Sequence, residues 1–129
     1  MRNEELEIRN GNPILDKSKS FAIRIVNLYK YLTEKRSEYV MSKQVLRSGT
    51  SIGANVSESV YAQSRADFLS KMYIAYKEAG EAAYWPELPE DTKYLTAAQA
   101  KSIRADCAEL IRILSSITKT TRKKLRKHS

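Results

Sequence analysis

With a single cysteine and a single histidine among 129 residues, the chain excludes several kinds of chemistry at once. One cysteine, Cys107, cannot form an intramolecular disulfide, and its place on an apolar helical face reads as a buried, inert thiol. The only histidine, His128, lies at the end of the sequence. Carboxylate-bridged di-metal bundles need a Glu-x-x-His motif from each of two helices, so Glu58, Glu78 and Glu81 read as partners of Arg47 and of lysines such as Lys71. A Ser-His-Asp arrangement would have to recruit His128 and is rejected. Glycine is scarce, at four residues, and the string GTSIGA lacks the lysine of a phosphate loop and falls within a helical pattern. No catalytic residue, metal or cofactor is assigned, and the expected protein is not an enzyme. Long apolar runs are also missing: nowhere do about eighteen such residues follow one another. The opening stretch MRNEELEIRNGNP reads as neither secretion signal nor membrane anchor, so a cytoplasmic protein without a membrane partner is expected.

What is present is helical periodicity. Asn12 and Pro13 have the chemistry of a helix start, after which Ser18, Phe21, Ile25, Leu28 and Leu32 repeat on one face to about Lys35. A second segment runs from near Val40 to about Gln63, with Val45, Gly49, Ile52, Val56 and Val60 on one face and Arg47, Ser51, Asn55 and Glu58 on a polar face, at about 100° per residue. Ser64 and Asp67 cap a third, whose apolar face is Phe68, Met72, Ala75, Ala79 and Ala83. Thr96 and Gln99 form a capping box for a fourth, with Ile103, Cys107, Leu110, Leu114 and Ile117 as its core face. Pro86 lacks an N–H and predicts that the third helix kinks or ends near Tyr84, which weakens the bundle end near the loop from Glu90 to Leu95. Short loops predict an all-α, antiparallel up-down-up-down four-helix bundle over 13–118. Residues 1–12 form an N-terminal extension and 119–129 a basic helix extension or tail.

The segment from Arg47 to Trp85 carries a second stripe on each of its helices. If the chain reverses near Ser64, Arg47 lies opposite Glu81 and Ser51 opposite Glu78, and an arginine fork suits a carboxylate. Gly49, Gly53 and Ala54 let backbones approach closely, as small residues do at tight helix crossings. Ile74, Glu78, Glu81 and Trp85 line a face where Ile74 and Trp85 would be poorly placed in water. That face is expected to be covered, at a subunit contact or a seam beside one.

The strings RSGTSIGANVSES and KEAGEAAYW, preceded by NPILDKSKSFAIRIVNLYKYL, resemble the bacterial four-helix-bundle proteins first noticed as reading frames inside intervening sequences of 23S ribosomal RNA genes. The likeness spans about residues 12 to 118. It implies an all-helical protomer in a ring-like homopentamer. It also implies a fold similar to the accessory variability determinant of diversity-generating retroelements, which works with a reverse transcriptase and its template RNA. The Trp85-Pro86-Glu87-Leu88-Pro89 string departs from the family pattern, beside the ring contact carried by Trp85, and the sequence leaves its effect on that contact open.

Charge supplies the functional lead. The formal net charge is +8, and six of the 23 basic residues fall between Lys119 and Ser129, where there is no acid; the remaining 17 nearly balance the 15 acidic residues. If the fourth helix continues into this stretch, Lys101, Arg104, Arg112, Lys119, Arg122, Lys123 and Arg126 share one side opposite its core face. Such a stripe is roughly 40 Å long, enough to follow a nucleic-acid backbone in a salt-dependent, weakly sequence-specific way. The tyrosines are scattered and read as packing and interface residues. The leading expectation is a non-enzymatic, homo-oligomeric RNA- or DNA-binding accessory protein, with assistance to a reverse transcriptase as the role that the resemblance implies. The alternative is a pentameric protein-interaction scaffold with an incidental basic face.

Overall fold

The computed structural model describes residues 13–87, 91 and 93–127. Among these residues there are four helices: α1 (Pro13–Glu34), α2 (Met41–Ser59), α3 (Arg65–Tyr84) and α4 (Ala97–Lys127). They are antiparallel neighbours in chain order, and α4 returns alongside α1 to close the bundle. The expected cap at Asn12, the extension 1–12, and His128 lie outside the described residues, as do Leu88, Pro89, Glu90 and Thr92 of the loop between α3 and α4.

Several helix boundaries have local causes. At α4 the capping box is reciprocal: Thr96 N–H donates to Gln99 Oε1 at 2.9 Å, and Gln99 N–H donates to Thr96 Oγ1 at 3.1 Å. At α3, Ser64 Oγ accepts from Asp67 N–H at 3.0 Å, while the Asp67 carboxylate reaches one residue further back, to Gln63 N–H. The third helix stops at Tyr84, and Pro86, which cannot donate to the helix, explains why.

The start of α2 is different. Val40, at its N-cap, makes no side-chain cap. Instead Glu38, only 6% exposed, accepts from the N–H groups of Val40, Met41 and Ser42 at 2.9, 2.7 and 2.6 Å. Burial alone would raise its pKa, but the hydrogen bonds from Met41, Ser42 and Val40 together outweigh burial and hold the carboxyl below its usual range. The chain reaches this position through Ser37 at φ 52°, in the left-handed region.

The core contains the expected Phe21, Ile25, Leu28, Leu32, Val45, Ile52, Val56, Phe68, Met72, Ala75, Ala79, Ile103, Cys107, Leu110 and Leu114. Three ends of the expected faces shift. Ala82 is buried and Ala83 only partly so; Val60 is partly buried, with α2 ending at Ser59 rather than near Gln63; and Thr118 and Thr121 are buried where Ile117 was expected. A straight helix drifts against a fixed register, so the residue facing the core changes over several turns. The buried hydroxyls need no outside partner. Thr118 donates to Ser115 O and Thr121 to Ile117 O at 3.0 and 2.8 Å, and Ser18, Ser48 and Ser59 do likewise with preceding carbonyls. Cys107 is fully buried, its Sγ donating to Ala79 O at 3.0 Å, and burial, followed by Asp106, pushes the thiol up to about 12.

The small residues of α2 face α1. A Cβ added to Gly49 would stand 2.6 and 2.8 Å from the two γ carbons of Ile25, and one on Gly53 would stand 3.3 Å from the carbonyl oxygen of Ser18. By contrast, nothing lies within 4 Å of a Cβ placed on Gly80. The two sites therefore predict opposite signs. Gly80→Ala should stabilise by about 1 kcal/mol, the propensity difference in an open helix position. Gly49→Ala should destabilise by about 1 to 2 kcal/mol, because the clash meets the stiff, branched base of Ile25. Urea unfolding of both variants checks this, and a stabilised Gly49→Ala protein would contradict the packing account.

Candidate nucleic-acid interface

The basic stripe depends on α4 continuing past residue 118, and it does. The helix is 31 residues long and unbroken from Ala97 to Lys127. No glycine or proline interrupts that stretch. The contact of Cys107 Sγ with Ala79 O fixes the register of α3 against α4 and puts Arg65 about level with Thr121. The last six helical residues therefore project roughly 9 Å beyond the first turn of α3.

Lys101, Arg112, Lys119, Arg122, Lys123 and Arg126 are exposed, and Arg104 is half-buried. Among the described residues no carboxylate forms an ion pair with Lys101, Arg112, Lys119, Arg122 or Lys123; Arg104 and Arg126 do have interactions within the chain. Four cations outside α4 are engaged between helices. Lys17 pairs with Glu109, and Arg24 bonds Asp106 at 2.5 Å and Ser102 Oγ at 2.6 Å, so that both bridge α1 to α4. Lys71 meets Glu58 at 3.2 Å across α2 and α3, as the sequence suggested.

Arg47 also takes its expected partners on α3. Its Nη1 stands 3.2 Å from Glu78 Oε2, and its Nη2 donates to Glu81 Oε1. The expected pairing of Ser51 with Glu78 is absent: Ser51 Oγ donates to Arg47 O at 2.5 Å, one turn back in its own helix, and Asn55 Nδ2 donates to Ser51 O at 2.9 Å. A short serine reaches its own backbone more readily than a carboxylate on another helix. Trp85 Nε1 donates to Glu81 Oε1 at 3.1 Å, its indole is partly buried against the core, and its ring meets Tyr84 edge-on at 5.3 Å. The tryptophan is thus covered largely within the protomer, whereas Ile74 is 41% exposed.

Sequence reasoning did not find the pairs across the α1–α4 seam or the groove beside Tyr73. The paired charges themselves were visible, but no loop joins the first helix to the last and sets their register. Among the described residues, no group of three His, Cys, Asp or Glu is placed to hold a metal, and no helix is long and apolar enough to cross a membrane.

Arg47 holds the Glu81 carboxyl below its usual range, with Trp85 second, and Glu81 in turn raises Arg47. A depressed carboxylate stabilises the fold above the unfolded pKa, near 4.3, and loses that contribution as pH falls through the folded value. Arg47 is 49% exposed, so its network is worth about 1 kcal/mol and not the larger amount expected of buried pairs. Arg47→Ala should therefore lower the urea midpoint at pH 7 by the equivalent of about 1 kcal/mol. It should also reduce the loss between pH 5 and pH 3. An unchanged acid response would contradict the assignment.

Comparison with known proteins agrees with this architecture. The family described as "23S rRNA-intervening sequence protein" matches residues 11–116. A crystal structure of a protein of unknown function from the S23 ribosomal protein family of Bacteroides thetaiotaomicron VPI-5482 is similar at 56% sequence identity, with a TM-score of 0.82. The match covers 84% of this chain and 96% of that one. No curated protein matches. With four helices in this register and a family match over most of its length, the chain belongs to the 23S rRNA-intervening sequence protein family.

Proposed function

We propose that this is a non-enzymatic, homo-oligomeric nucleic-acid-binding accessory protein that uses the outer side of α4 to hold phosphates. The observation that carries the reading is the unbroken helix from Ala97 to Lys127, which keeps the basic side chains on one rigid side, five of them without carboxylate partners among the described residues. Charges already paired inside a fold have little left for a ligand; these five retain theirs. Weak single contacts of this kind gain strength by repetition, and a ring of protomers would supply it through multivalent attachment. A reverse transcriptase enters the reading only through the resemblance to the retroelement protein, whereas the residues argue for the nucleic acid.

Replacing Arg112, Lys119, Arg122 and Lys123 together by glutamine should weaken binding to an RNA hairpin or duplex DNA at least tenfold in fluorescence anisotropy, with the circular dichroism spectrum unchanged. Lys30→Gln with Lys43→Gln is the control, since both are exposed and lie outside α4. Lys17 is unsuitable for that purpose because it pairs with Glu109. Equal losses in the two variants, or no binding by the unmodified protein at low salt, would favour a protein-interaction scaffold. Light scattering of the full chain should give about five protomers of 14.7 kDa, and a monomer at micromolar concentration would remove the ring from the proposal.

A further inference from the structure

Beside the basic stripe, along the seam of α3 and α4, runs an open groove of about 460 Å³. Its apolar lining comes from Ala66, Leu69, Tyr73 and Ile74, and its cations are Lys77 and Arg122; Ser70 adds a hydroxyl. Among the described residues no carboxylate lines it. Arg122 belongs to the stripe, so the groove and the stripe form one continuous surface.

Tyr73 is the distinctive residue there. It is 44% exposed, although a solvated helix face has no need of an aromatic ring. Its ring meets Tyr76 edge-on, with centroids 6.0 Å apart and planes at 72°, and Tyr76 in turn packs against the core. The exposed ring is therefore braced by a partly buried one. Lys77 lies one turn further along α3, about 6 Å by helical rise, and Arg122 approaches from across the seam. Neither cation has an ion-pair partner among the described residues.

A paired duplex cannot use such a surface well, since its bases are already stacked on one another and it offers mainly phosphates. An unpaired nucleotide can use every part of it. Its base has a face for an aromatic ring, its phosphates suit the flanking cations, and a ribose hydroxyl suits a serine. We infer that this groove takes unpaired RNA nucleotides, with one base stacked on Tyr73, the adjoining phosphates on Lys77 and Arg122, and a 2′-hydroxyl toward Ser70. This inference rests on the nucleic-acid reading of α4 and adds to it a site for unpaired RNA nucleotides, beside a stripe that holds the phosphates of single strands and duplexes alike.

The test uses the full chain and three probes: an unstructured RNA oligonucleotide, a DNA oligonucleotide of the same sequence, and duplex RNA. Tyr73→Leu, which keeps an apolar side chain, should lose about ten- to a hundredfold in affinity for the single-stranded RNA, the range that stacking one base on an aromatic ring supplies. Its affinity for duplex should stay within twofold, and Tyr73→Phe should restore single-strand binding. Tyr73→Trp in a Trp85→Phe background provides a direct readout, because the new indole should be quenched when the RNA oligonucleotide is added. Unchanged single-strand affinity in Tyr73→Leu would overturn the inference while leaving the stripe intact. Equal affinity for the DNA oligonucleotide would overturn the assignment to RNA. Loss of self-association in Tyr73→Leu would show that a second copy covers this face, and would overturn it as well. Loss of all three probes in the α4 glutamine variant with no effect at Tyr73 would separate the two proposals cleanly.

Discussion

The continuity of α4 is the constraint on which the other features depend. This helix must bury a line of residues from Ala100 through Thr121 on one side while holding its cations on another. It succeeds because nothing between Ala97 and Lys127 breaks a helix, because Thr96 and Gln99 satisfy its first turn, and because the threonines that replace apolar residues late in the core line bond back to their own helix. Were the helix to stop at residue 118, the last cations would be scattered over a tail with no common direction. An unbroken helix makes them a line.

The distribution of charge follows from the same geometry. Within the bundle, four basic side chains are matched to acids on the facing helix: Lys17 and Arg24 across α1 and α4, Arg47 and Lys71 across α2 and α3. These partly exposed pairs contribute modestly to stability, but their positions specify which helix neighbours which and in what register. Among the described residues the outer side of α4 has no such complement for Lys101, Arg112, Lys119, Arg122 and Lys123.

Much of the bundle was legible in the sequence because its cores repeat at helical spacing and its ends carry local signals. Ser64 with Asp67, Thr96 with Gln99, and Pro86 each act within a few residues, so reading them requires no tertiary knowledge. The Arg47 network was legible for a related reason: a short loop between α2 and α3 sets the register, and the register brings Arg47 to Glu78 and Glu81. The cap of α2 was hidden, since Glu38 acts from two residues before the N-cap and only after the turn at Ser37 has brought it back. Ser51 misled because the sequence could not weigh a partner on another helix against its own carbonyl. Tyr73 was one tyrosine among eight; only its exposure, its contact with Tyr76 and the nearness of Arg122 distinguish it.

The central claim is that phosphates supply the anions that the fold withholds from α4. The salt dependence of binding tests it most directly, because each phosphate neutralised on a duplex adds about −0.9 to the slope of log affinity against log salt. For duplex DNA titrated between 50 and 200 mM salt, a slope of about −4 to −5 is expected if the five cations without intrachain carboxylates each engage a phosphate. A slope near zero would contradict the account.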